Sequence, residues 1–345
     1  MADANCDIAH EVAFDQSYRI TQLYTFLASF GAICPLLHLI FFKIQRTTFN
    51  SNVKFLYMLY FSQILISVIN NTVVFAHHVV LPFLAVSYCD VMVDPFKLRI
   101  FQYLGVFGIS APMLTILGIS AERLLALIFA RCYETSRLHI GLAIGVIAMV
   151  ADVAIVFLLF RDEKFDKPTM SYFMIPATSG KGMNLLCYTL LGVNVLNMLF
   201  SYILVKLNEM LKEKWRSDLS TRYQIEENII TTKFSTCIAI LHVFFFMLYL
   251  VFTLFLRIFG PDFLTSAADL LAMRGMYITI PTYNLIIGVL SCAVLQKLQK
   301  RKVDQVAAEV AINYGFEGTQ MHAAAILDAW RQTEEGKQSG CRIKF

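Results

Sequence analysis

The chain is predicted to fold as an all-α bundle of seven membrane-crossing helices, with its N-terminus outside and its C-terminus in the cytoplasm. Three observations lead there. Seven stretches, Thr21 to Phe42, Phe55 to Ala76, Ile100 to Ala121, Ile140 to Phe160, Gly182 to Val205, Phe234 to Leu256 and Gly275 to Gln296, are each about as long as a bilayer crossing and hold between them one formally charged side chain, Asp152. Hydrophobic residues make up 57% of the 345 positions and charged residues 16%, with a mean hydropathy of +0.61. The Lys and Arg residues at the edges of the stretches are unevenly shared between the two sides. A helix rising 1.5 Å per residue needs about 20 residues to cross roughly 30 Å of hydrocarbon, and only a helix or a closed barrel satisfies every backbone N–H and C=O there. Core helices of a large soluble protein instead alternate with a polar face and rarely run that far uncharged.

Residues 1–19 form a polar N-terminal segment carrying Asp3, Asp7, Glu11 and Asp15. It lacks the basic-then-apolar layout of a cleavable signal peptide, so the first span is its own membrane signal. The spans are expected at about 21–42, 55–76, 100–129, 140–160, 182–205, 230–256 and 275–296, and together they form one membrane domain, 20–296. Thr221 and Gln224 fit a capping box that starts the sixth helix before the membrane. Pro281 removes a backbone donor and can kink the seventh. Residues 297–345 form a tail, in which Lys297, Lys300, Arg301 and Lys302 interleave with Leu295, Leu298, Val303 and Val306 as in a membrane-surface helix. Further on, Ile326 and Trp330 share a face that can dock a partner, and 336–345 reads as disordered.

Orientation rests on basic residues being retained in the cytoplasm. With the N-terminus outside, 20 of the 29 Lys and Arg fall on the cytoplasmic side and 9 on the other. The net charge of +4 is dispersed along membrane edges, which gives no basic patch for nucleic acid.

The interiors of the spans narrow the function. Proton and ion pathways gather several ionisable groups in one cavity, whereas here the spans offer Asp152, His38 and His242. A coupled transporter is disfavoured, and no duplicated half is evident. A retinal-binding lysine is missing from 275–296. No H-E-x-x-H or G-x-S-x-G occurs, and the adjacent His77 and His78 cannot both face one metal from a regular helix, so neither an enzyme, a cofactor nor a metal site is expected.

Binding on one side and signalling on the other remain. Glu122 and Arg123 stand where the third span ends, in the run Ser120-Ala121-Glu122-Arg123-Leu124-Leu125-Ala126, and resemble the acid–arginine pair with which many seven-helix receptors close their G-protein site. The segment 219–228, LSTRYQIEEN, leads into the sixth span. Together with Phe49-Asn50-Ser51-Asn52-Val53-Lys54 and with Cys89-Asp90 followed by Arg99, it resembles the nematode serpentine chemoreceptors of class alpha or alpha/beta. That resemblance covers 21–296 and implies a G-protein-coupled chemosensory receptor of the plasma membrane, in cilia or dendrites of sensory neurons. Its expected partners are a small-molecule or peptide ligand, a heterotrimeric G protein and membrane lipid. A seven-helix ligand-gated odorant channel, which has the reverse orientation, is the alternative, and a small-solute transporter a weaker one.

The residues expected to carry coupling and switching are Glu122, Arg123, Arg222, Tyr223, Glu226, Glu227, Asn228, Pro281, Tyr283 and Asn284. Arg123 is expected to pair at rest with Glu122 or with Glu226 or Glu227. The chain departs from the rhodopsin-like pattern, with no aspartate in span two, neither Trp nor Pro in span six, and Ile280-Pro281-Thr282-Tyr283-Asn284 in place of N-P-x-x-Y. Ligand-pocket candidates are Tyr103, Phe107, Asp152, Tyr188, Phe252, Met276 and Tyr277. Packing explains each aromatic as well, but a buried carboxylate at Asp152 needs a partner, water or a proton. A Cys89–Cys187 bridge would resemble the usual receptor staple, and Cys6 is a competing partner.

Overall fold

The computed structural model describes residues 2–129, 139–172, 175–176, 178–214, 219–263, 267–276 and 279–313. Among them seven helical segments are long and apolar enough to cross a membrane: Gln16–Ile44, Ser51–Leu84, Pro95–Ile128, His139–Phe160, Gly180–Lys212, Ile225–Leu256 and Ile280–Leu298. The bundle is therefore seven-helical.

The N-terminal segment departs from expectation by being a helix, α1 (Ala2–Phe14). Cys6, Ala9 and Val12 recur every third residue and are buried, while Asp7 and Glu11 stay exposed, which is the stripe of an amphipathic helix. Asp15 ends it and caps the next helix, accepting from the Tyr18 N–H at 2.7 Å. α2 (Gln16–His38) continues into a π-helical turn, Leu39–Ile44, one turn after Pro35. Proline withdraws a donor from the i→i−4 ladder, and wide turns commonly accompany such breaks. α3 (Ser51–Leu84) is capped by Asn50, whose side chain accepts from the Asn52 N–H. α4 (Pro95–Ile128) starts with Asp94 accepting from the N–H groups of Phe96 and Lys97, and with Pro95 where a missing N–H has no cost.

The remaining helices are α5 (His139–Phe160), α6 (Gly180–Lys214), α7 (Leu219–Ile258), α8 (Gly260–Phe263), α9 (Ala267–Met276) and α10 (Ile280–Asn313). Two expectations are corrected here. α7 is already helical at Leu219, so Thr221 and Gln224 lie within it and do not form its cap. Pro281 is the second residue of α10, where proline starts a helix without kinking it, because a first-turn N–H has no intrahelical partner to lose. The same proline accounts for the seventh span beginning at 280, not at 275.

α4 is the centre of the bundle, touching α3, α5, α6 and α7. Two glycines set its surroundings. A Cβ on Gly108 would fall 2.6 Å from the Ser67 Cβ, and one on Gly141 would fall 2.6 Å from the Asn52 backbone oxygen. At Gly141 the approach is fixed further by its N–H, which donates to Asn52 Oδ1 at 3.0 Å. Gly141→Ala is accordingly expected to destabilise by about 1–3 kcal/mol, the usual cost of overpacking. A thermal unfolding midpoint unchanged from wild type would refute that close approach. α5 otherwise shows little of itself to the bundle: Gly141, Gly145, Asp152, Val156 and Phe160 are buried, while Val146, Ile147, Val150, Val153 and Phe157 face outward, where lipid lies.

At the end where α4 begins, α1 is tied by a Cys6–Cys89 disulfide to a short 3-10 turn, Tyr88–Val91. The bridge thus joins Cys89 to Cys6, not to Cys187. Cys187 is a buried free thiol packed in a cluster with Val106, Met113 and Phe246, facing the bundle and not the loop that carries Cys89. Asp90 stabilises the turn by accepting from the N–H groups of Ser87 and Val86, and these bonds, with that of the Ser87 hydroxyl, hold its carboxyl below the usual range. The segment after α5 crosses the same end. Val93 and Thr169 exchange backbone hydrogen bonds at 2.7 and 3.2 Å, and Tyr172 is buried against Val74, Val93 and Leu98.

Candidate functional site

Arg123 lies 28 residues beyond the start of α4, about 40 Å along the helix from the disulfide end at 1.5 Å per residue. Adjacent helical residues do not normally face each other. Here Glu122 and Arg123 nevertheless fold together as a bidentate fork, Nε to Oε2 at 2.5 Å and Nη2 to Oε1 at 2.6 Å. Both are sealed off, with Glu122 at 0% and Arg123 at 2% exposure. Planar fork-to-carboxylate pairing is the strongest form of side-chain ion pair, and burial removes the water that would weaken it.

The fork is locked from three sides. Arg123 Nη1 donates to Thr231 Oγ1 of α7 at 2.9 Å, and that hydroxyl in turn donates back to the Glu227 carbonyl at 2.9 Å. Asn228 Nδ2 donates to the Arg123 carbonyl at 3.2 Å and to Asn208 Oδ1 of α6 at 2.9 Å. Tyr57 of α3 donates its hydroxyl proton to the Thr231 carbonyl at 2.8 Å. Helices α3, α4, α6 and α7 therefore converge on one buried charge pair. Of the three acids expected near Arg123, Glu122 is the one that forks onto the guanidinium. Glu227 Oε1 accepts from the Asn50 N–H at 2.5 Å, and Glu226 pairs with Lys212 at 3.3 Å. Glu209 of α6 joins Lys233 of α7 at 2.8 Å and Lys206 of its own helix at 3.1 Å; these half-exposed pairs contribute little individually. The side chains of Arg222 and Tyr223 lie outside the described residues, as do Tyr277, Arg131, Arg137, Ile326 and Trp330.

A second feature lies deeper, where α4, α7 and α10 meet. A small cavity of about 30 Å³ lies there, partly open to the outside. Pro112, Met113, His242, Phe246, Tyr283 and Asn284 are among its walls. Tyr283 and Asn284, expected in the switch, thus line a cavity. The pocket candidates lie elsewhere. Tyr103 stacks on Phe160 at 5.0 Å, and Phe107 packs on the same core cluster. Met276 packs near Val12 and Tyr18, Tyr188 is 46% exposed, and Phe252 is half-buried. Asp152 is fully buried, accepting on Oδ1 from the Ser110 hydroxyl, with Oδ2 unpartnered among the described residues.

Thr231, Asn208, Tyr57 and the triplet Tyr60, Tyr283 and His242 were not all foreseen. Polar side chains inside otherwise apolar spans were the available signal, since lipid tolerates them only when paired.

This is a seven-helix membrane protein of receptor build, with a cavity inside and a buried, four-helix ion-pair network toward one end. A family model for serpentine type 7TM GPCR chemoreceptors, Srb, matches residues 14–246, and the chain belongs to that nematode chemoreceptor family. It is 62% identical to serpentine receptor class beta-6 of Caenorhabditis elegans over 335 residues, 97% of this chain and 99% of that one. It is 30% identical to class beta-1 over 334 residues, covering 96% and 98%, and 31% identical to class beta-3 over 329 residues, covering 95% and 96%, both from the same nematode. The resemblance to serpentine chemoreceptors therefore holds, with class beta as the subfamily in place of alpha or alpha/beta.

Proposed function

We propose that the chain is a G-protein-coupled chemosensory receptor that takes a small molecule within the bundle and activates a heterotrimeric G protein at the Glu122–Arg123 end. The observation that carries this is the buried fork and its ties to Thr231, Asn228 and Tyr57. A charge pair joining four helices has two discrete arrangements, closed as observed or open with Arg123 released, and a ligand favouring the open one shifts the population. In this reading Arg123 is the switch, Asn228 and Thr231 hold it closed, and Arg222, Tyr223, Glu226 and Glu227 flank the docking face.

Orientation is supported twice. The basic residues favour a cytoplasmic Glu122–Arg123 end, and the Cys6–Cys89 bridge at the other end belongs on an oxidising, extracellular side. The expected address is the plasma membrane of sensory neuron cilia or dendrites. The direct test is guanine-nucleotide exchange on purified heterotrimers, driven by receptor-bearing membranes during a screen of small molecules. An agonist should raise exchange in wild type and fail with Arg123→Ala; agonist-evoked ion current without any exchange would instead favour the channel reading. An epitope at residue 2 should be reached on intact cells, and one reached only after permeabilisation would reverse the orientation.

A further inference from the structure

At the disulfide end, the first two turns of α2 and the last turns of α3 leave a groove between them on the outward face of the bundle. Its volume is about 510 Å³, within the range of about 300–1,000 Å³ usual for small-ligand sites. Ile20 and Leu23 of α2 and Val79 and Phe83 of α3 form apolar walls, and Phe14 at the end of α1 adds another ring. Four of these five side chains are exposed, so in a membrane the groove opens toward hydrocarbon. None of its lining residues belongs to the cavity between α4, α7 and α10.

One charge lines this apolar groove, Arg19. An arginine at the end of a span ordinarily extends away from the protein to water or headgroups. Arg19 is instead half-buried, its guanidinium carbon 4.8 Å from the centre of the Phe83 ring. A ring face attracts a cation but brings no counter-charge. No carboxylate pairs with Arg19 among the described residues, whereas Arg123, Lys206, Lys212 and Lys233 each have one. Asp15, one turn earlier, spends its carboxylate on capping α2. Arg19 also stands where the first span begins, at the level of lipid phosphates, and Leu23 lies about 6 Å deeper at 1.5 Å per residue.

We propose that the groove holds one phospholipid of the adjoining leaflet, its phosphate paired with Arg19 and one acyl chain lying along Leu23 and Val79. A guanidinium can meet two phosphate oxygens with parallel N–H bonds, which gives the headgroup a fixed seat. Water-soluble molecules are disfavoured because the groove faces hydrocarbon, and amines because Arg19 repels them. The site stands apart from both the chemosensory ligand and the G protein.

The test places the purified full-length receptor in phosphatidylcholine nanodiscs containing a little phosphatidylcholine with a diazirine midway along one acyl chain. After illumination and proteolysis, adducts should concentrate in residues 14–23 and 79–83, several-fold above the outward face of α5, which meets bulk lipid. A diacylglycerol with the same labelled chain lacks the phosphate and should give several-fold fewer adducts in the groove. Arg19→Gln should lower phospholipid labelling to the diacylglycerol level and leave α5 labelling unchanged. Leu23→Trp, which fills the groove, should abolish the excess. Should either variant fail to fold, the wild-type comparison of the two lipids still decides. Equal labelling of groove and α5, equal labelling by the two lipids, or an excess surviving both substitutions would each overturn the proposal. So would displacement of the label by equimolar oleate, which would make the occupant a free fatty acid.

Discussion

Glu122→Ala is expected to destabilise the receptor by about 3–5 kcal/mol, the cost of leaving a buried partner uncompensated. Arg123 would keep its bond to Thr231 but lose both bonds to carboxylate oxygens, with no water at hand to replace them. The measurement is the unfolding midpoint of the purified protein together with the yield of folded receptor. Glu209→Ala is the control, because its pairs are half-exposed and should contribute under about 1 kcal/mol. A double variant, Glu122→Leu with Arg123→Met, should recover much of the loss, since apolar replacement of a buried ion pair is often neutral. If Glu122→Ala behaved like the control, the fork would have no energetic role.

Cys6→Ser is expected to lower stability by about 2–5 kcal/mol, toward the upper part because the bridge closes a separation of 83 residues. Helices that persist in the unfolded membrane state reduce the entropy lost, so the chain-entropy value is an upper bound. Cys89→Ser should match it, and the double variant should add almost nothing, because either change alone opens the same bridge. Thiol labelling under denaturing, non-reducing conditions gives the connectivity directly. Cys187→Ala should expose no new thiol; a new thiol at Cys89 would overturn the Cys6–Cys89 pairing.

The spans were legible because bilayer thickness and backbone satisfaction constrain sequence directly, and ranges such as 140–160 and 182–205 lie close to His139–Phe160 and Gly180–Lys212. Glu122 and Arg123 were legible for a related reason, since charge at the rim of an apolar span stands out. Less was legible where packing decides. α1 carried its signal at Cys6, Ala9 and Val12, but acidic residues between them masked a stripe of small side chains. Pro281 marks a break on any reading; whether it kinks a helix or begins one depends on where the preceding chain turns. The cavity was the least legible feature, because periodicity tells which face of a helix is buried and not which gap between three helices stays unfilled. Asn284 and His242 acquire their interest only from neighbours far away in sequence.

Asp152 bears on how the protein is made. On the scale of translocon insertion, an aspartate at mid-span opposes entry by about 2.5–3.5 kcal/mol, while each Leu, Ile, Val or Phe favours it by about 0.3–0.6. Such residues make up most of α5, the most apolar of the seven spans, so the helix enters the bilayer despite its acid. Its partner Ser110 sits in α4, which leaves the ribosome first. The hydroxyl from which the carboxyl accepts is thus made before the acid, so its partner already exists when α5 enters the bilayer.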